Sequence, residues 1–90
     1  MDWNSVSFVM SGKLRIRILI ELKNGQKTPS ELAAILKIPR SHVSKTIKEL
    51  EEKELIRCLT PDRRKMKFYI ISDTGKEILS HISNITSDKK

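Results

Sequence analysis

Residues 28–56, TPSELAAILKIPRSHVSKTIKELEEKELI, decide the fold, because they spell two helices joined by a short turn. Thr28 can accept a backbone N–H as an N-cap. Pro29 suits the first helical position, where no N–H is needed, and Glu31 can reach back to close a capping box. Leu32, Ile35 and Leu36 supply a buried face, while Ala33 and Ala34 let another helix approach. Pro39 cannot donate a backbone hydrogen bond and pushes Ile38 towards an extended conformation, so the first helix stops near Leu36 or Lys37. A second helix is expected over 40–53, with Val43, Ile47 and Leu50 facing inward. At about 100° per residue, Ser41, Ser44, Lys45 and Lys48 fall on the side facing away. Residues 37–48 hold Lys37, Arg40, Lys45 and Lys48 and no acid, and Glu49, Glu51, Glu52 and Glu54 follow at once. Positive charge is therefore concentrated at the start of the second helix.

Upstream, residues 13–22, KLRIRILIEL, satisfy two periods. Leu14, Ile16, Ile18, Ile20 and Leu22 alternate as in a strand, while Leu14, Ile18 and Leu22, widened by Leu19, form a helical stripe. Gly25 is a plausible helix stop and favours the helix. Such a helix is apolar on more than one face and needs two burial surfaces. Trp3, Phe8 and Val9 lie further upstream, either covering the core or joining an interface between copies. Downstream, 55–60 (LIRCLT) and 67–71 (KFYII) read as short strands around the turn-forming PDRRKM. Ser72 is a natural N-cap for a last helix near 73–85, whose apolar stripe, Ile78, Leu79, Ile82 and Ile85, is more than one short helix needs to close a core of this size and is expected to leave a surplus patch for pairing. The domain is expected to span 1–86, with a frayed polar tail at 87–90.

The 90 residues allow one small domain and are too few for a doubly wound or barrel enzyme. Eighteen Lys and Arg against 11 Asp and Glu give a net charge of +7, which points to a polyanionic partner. The single cysteine, Cys58, excludes a disulfide within the chain and reads as a small apolar residue on a strand. Its separation from His42 and His81 gives no paired ligand spacing, so neither metal nor cofactor is expected. Both histidines read as surface residues. No nucleophile–base pair or glycine-rich phosphate loop marks an enzyme. The start MDWNSVSFVMSG has no basic-then-apolar signal, and no run is long enough for a membrane span, so the cytoplasm is the default.

The order helix, helix, turn, helix, basic-tipped hairpin, helix resembles the winged helix-turn-helix transcriptional regulators, especially MarR-like and ArsR-like proteins and their short archaeal relatives. The resemblance covers about residues 11–80 and rests on the stretch quoted first and on YIISDTGKEIL at 69–79. Ser72 with Gly75 stands where that family has a threonine-x-x-glycine helix start. The resemblance implies an α+β, mostly α winged helix: a three-helix core, a two-stranded wing and a C-terminal helix. Three positions depart from the pattern. Lys37 and Glu54 stand where glycines often end helices, and Pro39 replaces a polar N-cap.

By the same resemblance, the 40–53 helix lies in the DNA major groove, with Arg40, Ser41, His42, Ser44, Lys45 and Lys48 towards bases or phosphates. Arg63, Arg64 and Lys65, at the tip of a wing over 61–67, would meet a minor groove or flanking phosphates; otherwise they keep a hairpin edge soluble. Lys27, Thr28 and Ser30, at a helix start whose free N–H groups point outward, either hold a phosphate or serve ordinary capping. The expected function is sequence-specific double-stranded DNA binding by a homodimer paired through its first and last helices. Two alternatives remain, a non-specific architectural DNA binder and a winged helix used for protein–protein contact.

Overall fold

Thr28 Oγ1 accepts from the Glu31 N–H at 3.1 Å, and Glu31 Oε1 accepts from the Thr28 N–H at 2.8 Å, so the capping box forms as the sequence implies. It opens helix α3 (Pro29–Leu36), which ends on Lys37 at φ 58°, ψ 48°. Ile38 N–H then donates to the Ala33 carbonyl at 3.1 Å. Lys37 thus takes the left-handed position that a glycine would occupy without steric cost.

A computed structural model of the chain describes residues 3–62 and 66–86, with side chains up to Ser83. Helix α4 (Arg40–Glu52) starts after Pro39 with no side-chain cap. It stops in a Schellman turn: Glu54, at φ 60°, donates to Glu51 O at 2.9 Å, and Leu55 donates to Leu50 O at 3.0 Å. Val43, Ile47 and Leu50 are buried as expected, and Thr46 joins them by donating its hydroxyl to His42 O at 3.1 Å.

The ambiguous stretch is helical, α2 (Lys13–Lys23). Ile18, Leu19 and Leu22 are fully buried and Leu14 is half-buried, so the inward face is rotated towards Leu19. Ahead of it lies a helix without a sequence expectation, α1 (Trp3–Met10), which puts Val6 and Val9 into the core and leaves Trp3 64% exposed.

The hairpin strands are shorter than their apolar runs. β1 (Ile56–Cys58) pairs antiparallel with β2 (Tyr69–Ile71) in the register Ile56↔Ile71, Arg57↔Ile70, Cys58↔Tyr69. Beyond the strands, Leu59 N–H donates to Phe68 O at 2.7 Å and Phe68 N–H to Thr60 Oγ1 at 3.1 Å. On the other side of β2, Lys27 exchanges both backbone bonds with Tyr69, at 3.0 and 2.9 Å. The sheet is thereby tied to the segment leading into α3. Cys58 is half-buried against the core, as its small apolar character implied. The wing-tip residues Arg63, Arg64 and Lys65 lie outside the described residues, as do residues 87–90.

Helix α5 (Asp73–Thr86) begins on Ser72, whose Oγ accepts from Gly75 N–H at 3.0 Å and donates to Glu54 O at 2.8 Å. Gly75 packs directly on the chain entering β1: a Cβ there would overlap the Leu55 carbonyl oxygen and lie 2.8 Å from Ile71 Cγ1. Backbone cannot yield as a flexible side chain can. Gly75→Ala is therefore expected to destabilise the fold by about 3 kcal/mol, measured by thermal or urea unfolding. A change below about 0.5 kcal/mol would show that α5 shifts freely away from Leu55.

Two expectations for α5 need correction. Ile78, Leu79 and Ile82 are 1%, 7% and 3% exposed within the single chain. They are not a surplus patch; they close the chain's own core against α1 and α2. The Ile85 side chain lies outside the described residues. His81 is not a plain surface residue either. Its ring meets Trp3 edge-on, with centroids 5.0 Å apart, and its Nε2 is enclosed without a hydrogen-bond partner among the described residues.

Candidate nucleic-acid interface

Arg40, Ser41, His42, Ser44, Lys45 and Lys48 are all exposed on α4, opposite or beside the buried Val43–Ile47–Leu50 stripe. Their common orientation follows from the helical period once those three apolar residues are committed to the core. Among the described residues the ion pair formed is Arg15–Glu49, so Arg40, Lys45 and Lys48 have no carboxylate partner within 4.0 Å. An incoming anion would not have to displace an internal one.

Two depressions flank this face. One lies between α4 and the start of β2, lined by Ser41, Ser44, Lys45, Lys48, Lys67 and Tyr69, with Glu51 at its far end. The other lies at the amino end of α3, where Thr28, Pro29 and Ser30 meet Arg40, Met66, Lys67 and Tyr69. The structure thus brings Thr28 and Ser30 to the same side as Arg40. Thr28 is buried and its hydroxyl is engaged by the capping box, whereas Ser30 is exposed.

Lys67 and Tyr69 border both depressions, and neither was singled out from the sequence. The strand period puts 69 and 71 on one face of β2, but it does not say that this face, or Lys67 ahead of it, meets α4. Burial pushes the Tyr69 phenol above its ordinary value, and the Glu51 charge and the Cys58 thiol act in the same direction. The phenol therefore stays a neutral hydrogen-bond donor at physiological pH. Glu51 ends the positive run, so the face is cationic at the amino-terminal half of α4 and acidic beyond.

No curated protein sequence matches the chain significantly. Among solved structures, ZitR from Lactococcus lactis superposes with a TM-score of 0.71 at 22% identity, over 81% of this chain and 51% of that one. One of the ZitR structures is a complex with DNA. The adhesin competence repressor AdcR from Streptococcus pyogenes gives 0.73 at 20% identity, over 86% and 58%. The chain thus spans little more than half the length of these two. HlyU from Vibrio cholerae gives 0.73 at 21% identity and is matched over its whole length, with 98% of this chain covered. These likenesses establish the winged helix-turn-helix fold. A family model described as the N-terminal domain of the methanogenesis regulatory protein FilR1 matches residues 3–88. The chain belongs to that family of regulatory-protein domains, built as a winged helix with α4 in the place of the recognition helix.

Proposed function

We infer that the chain binds double-stranded DNA sequence-specifically and regulates transcription by occupying an operator. The observation that carries this is the unpaired cationic face of α4, where Arg40, Lys45 and Lys48 stand among the short side chains Ser41, His42 and Ser44. Guanidinium and ammonium groups can bond guanine acceptors, and short hydroxyls allow close approach to bases or phosphates. In this reading α4 enters the major groove. Ser30, Arg40 and Lys67, around the rim that Thr28 helps to shape, meet the adjacent backbone. Arg63, Arg64 and Lys65 contact flanking phosphates or the minor groove. The work is done by occupancy, without chemistry or cofactor. Among the described residues no helix is long and apolar enough to cross a membrane, and this function places the protein with its DNA in the cytoplasm.

A single small winged helix buries little surface for tight specific binding, so the active form in this reading is a two-fold homodimer. The pairing surface is the groove between α2 and α5, where Ile20 is 43% exposed and Ile16 half-buried beside Leu79 and Ile82. Half-sites would then lie about 10–10.5 base pairs apart, or a multiple of that.

Selection from random-sequence DNA tests the reading, because it reports specificity, site length and symmetry together. Lys45→Ala is expected to change the selected sequence as well as weaken binding by roughly 1–3 kcal/mol. Replacing Arg63 and Arg64 by Ala should weaken all sequences evenly and lower the salt slope by about 2 for each copy bound. If Lys45→Ala weakened every sequence equally, α4 would not be the reader. If the parent chain selected no motif and coated DNA according to load, the architectural alternative would replace this one.

A further inference from the structure

Arg15, on the first turn of α2, lies beside the proposed DNA-reading face but makes four hydrogen bonds inside the chain. Its Nη1 donates to the Phe8 carbonyl at 2.6 Å and to Ser11 Oγ at 2.8 Å. Its Nε and Nη2 donate to a single oxygen, Glu49 Oε1, at 3.3 and 3.2 Å. The guanidinium also stacks 3.9 Å from the centroid of the Phe8 ring. Lys53, at the end of α4, approaches the same ring at 5.4 Å. Gly12 lies under the Arg15 stem, where a Cβ would sit 3.1 Å from its Cδ. A carbonyl in the last turn of α1 is thus satisfied by α2, and the same guanidinium holds α4.

We propose that Arg15 is a positioning residue for the recognition helix: it fixes α4, through Glu49, to the joint between α1 and α2. Glu49 lies one helical turn beyond Lys45. Ser11, Gly12 and Arg15 share a depression with His42, Lys45 and Glu49, so the tie acts beside two side chains of the proposed interface. The planar fork can restrain both the direction of Glu49 and its distance, which a lysine ammonium would not do. Both partners are largely covered, at 22% and 33% exposed, so the pair is neither free in solvent nor stripped of it. The proposal rests on the DNA-binding reading above.

Electrostatics alone and positioning predict opposite signs for one variant. Glu49→Gln removes a negative charge near the DNA face, and charge alone would tighten binding to every duplex. If Glu49 instead holds α4 in register, Glu49→Gln weakens binding to the selected operator about tenfold, while binding to an unrelated duplex of equal length does not fall. Arg15→Gln should show the same loss, Arg15→Lys should not restore it, and the double variant should be no worse than either single one. The salt slope on the operator should stay that of the parent chain. A direct phosphate contact by Arg15 would lower it by about 1 for each copy bound. Tighter operator binding by Glu49→Gln, additive losses or a reduced slope for Arg15→Gln would each overturn the proposal. Glu49→Gln alone decides if Arg15→Gln does not fold. A parent chain that binds no DNA would fail before any variant is compared, which separates failure of the DNA-binding reading from failure of the tie.

Discussion

Ile82→Glu is expected to leave the chain unfolded at room temperature, while Ile20→Glu leaves it folded. Ile82 is 3% exposed on α5 and packs within the core that α1 and α2 complete. Replacing it deletes a buried aliphatic side chain and places a carboxylate in an apolar core. The lost packing costs about 3 kcal/mol and the buried charge about 3 more, so the combined cost of roughly 6 kcal/mol exceeds the stability of a small domain. A domain of 90 residues has a stability towards the low end of roughly 5–15 kcal/mol, so little folded protein should remain. Ile20 is 43% exposed on the α2 side of the groove, and a glutamate there should alter stability by only about 0.5 kcal/mol. If the groove joins two copies, Ile20→Glu sediments as a folded monomer at concentrations where the parent is a dimer. Circular dichroism reads the first outcome and sedimentation the second. A folded Ile82→Glu protein would remove α5 from the core. A dimeric Ile20→Glu protein would move the pairing surface elsewhere.

That contrast shows where the sequence stops being informative. The helix-turn-helix was legible because its determinants are local. Thr28, Pro29 and Glu31 start α3 within one turn, Pro39 separates the helices, and Val43, Ile47 and Leu50 orient α4 by period alone. The Ser72–Gly75 start of α5 was legible for the same reason. Helix α1 was not, because Trp3, Val6 and Val9, although spaced i, i+3, i+6, stand in an eight-residue stretch made mostly of residues of modest helix propensity. Contacts outside the helix hold it: the Arg15 guanidinium of the next helix on its last turn and, from far along the chain, His81 of α5 against Trp3. The apolar stripe of α5 looked excessive because, without α1, one wall of the core was missing from the count. The same reasoning covers the site. The outward residues of α4 follow from its inward ones, but Lys67 and Tyr69 reach that face only through the pairing of β2 with both β1 and Lys27. No short window of sequence reports that pairing.

Affinity for operator-length DNA is expected to fall by roughly a thousandfold or more between about 50 and 200 mM monovalent salt. On each copy Arg40, Lys45 and Lys48 are exposed, and Lys67 joins them at the edge of both depressions. Arg63, Arg64 and Lys65 add charge from the segment outside the described residues. Two copies that neutralise about 6–10 phosphates release as many counterions, giving a slope of log affinity against log salt near −5 to −9. Neutralisation should be efficient here because the α4 cations have no internal carboxylate to leave, unlike Arg15, whose charge is already engaged by Glu49. Glu51, at the end of the same face, opposes the effect and should keep the slope below the limit set by the basic residues alone. Titrations at several salt concentrations, on a selected site and on an unrelated duplex, measure both slopes. Similar slopes with different intercepts would mean that charge supplies affinity while the base contacts of α4 supply choice. A slope near zero with binding retained would remove the phosphate model. Negligible binding at moderate salt would leave the winged helix a protein–protein module, with its positive face turned to an acidic partner.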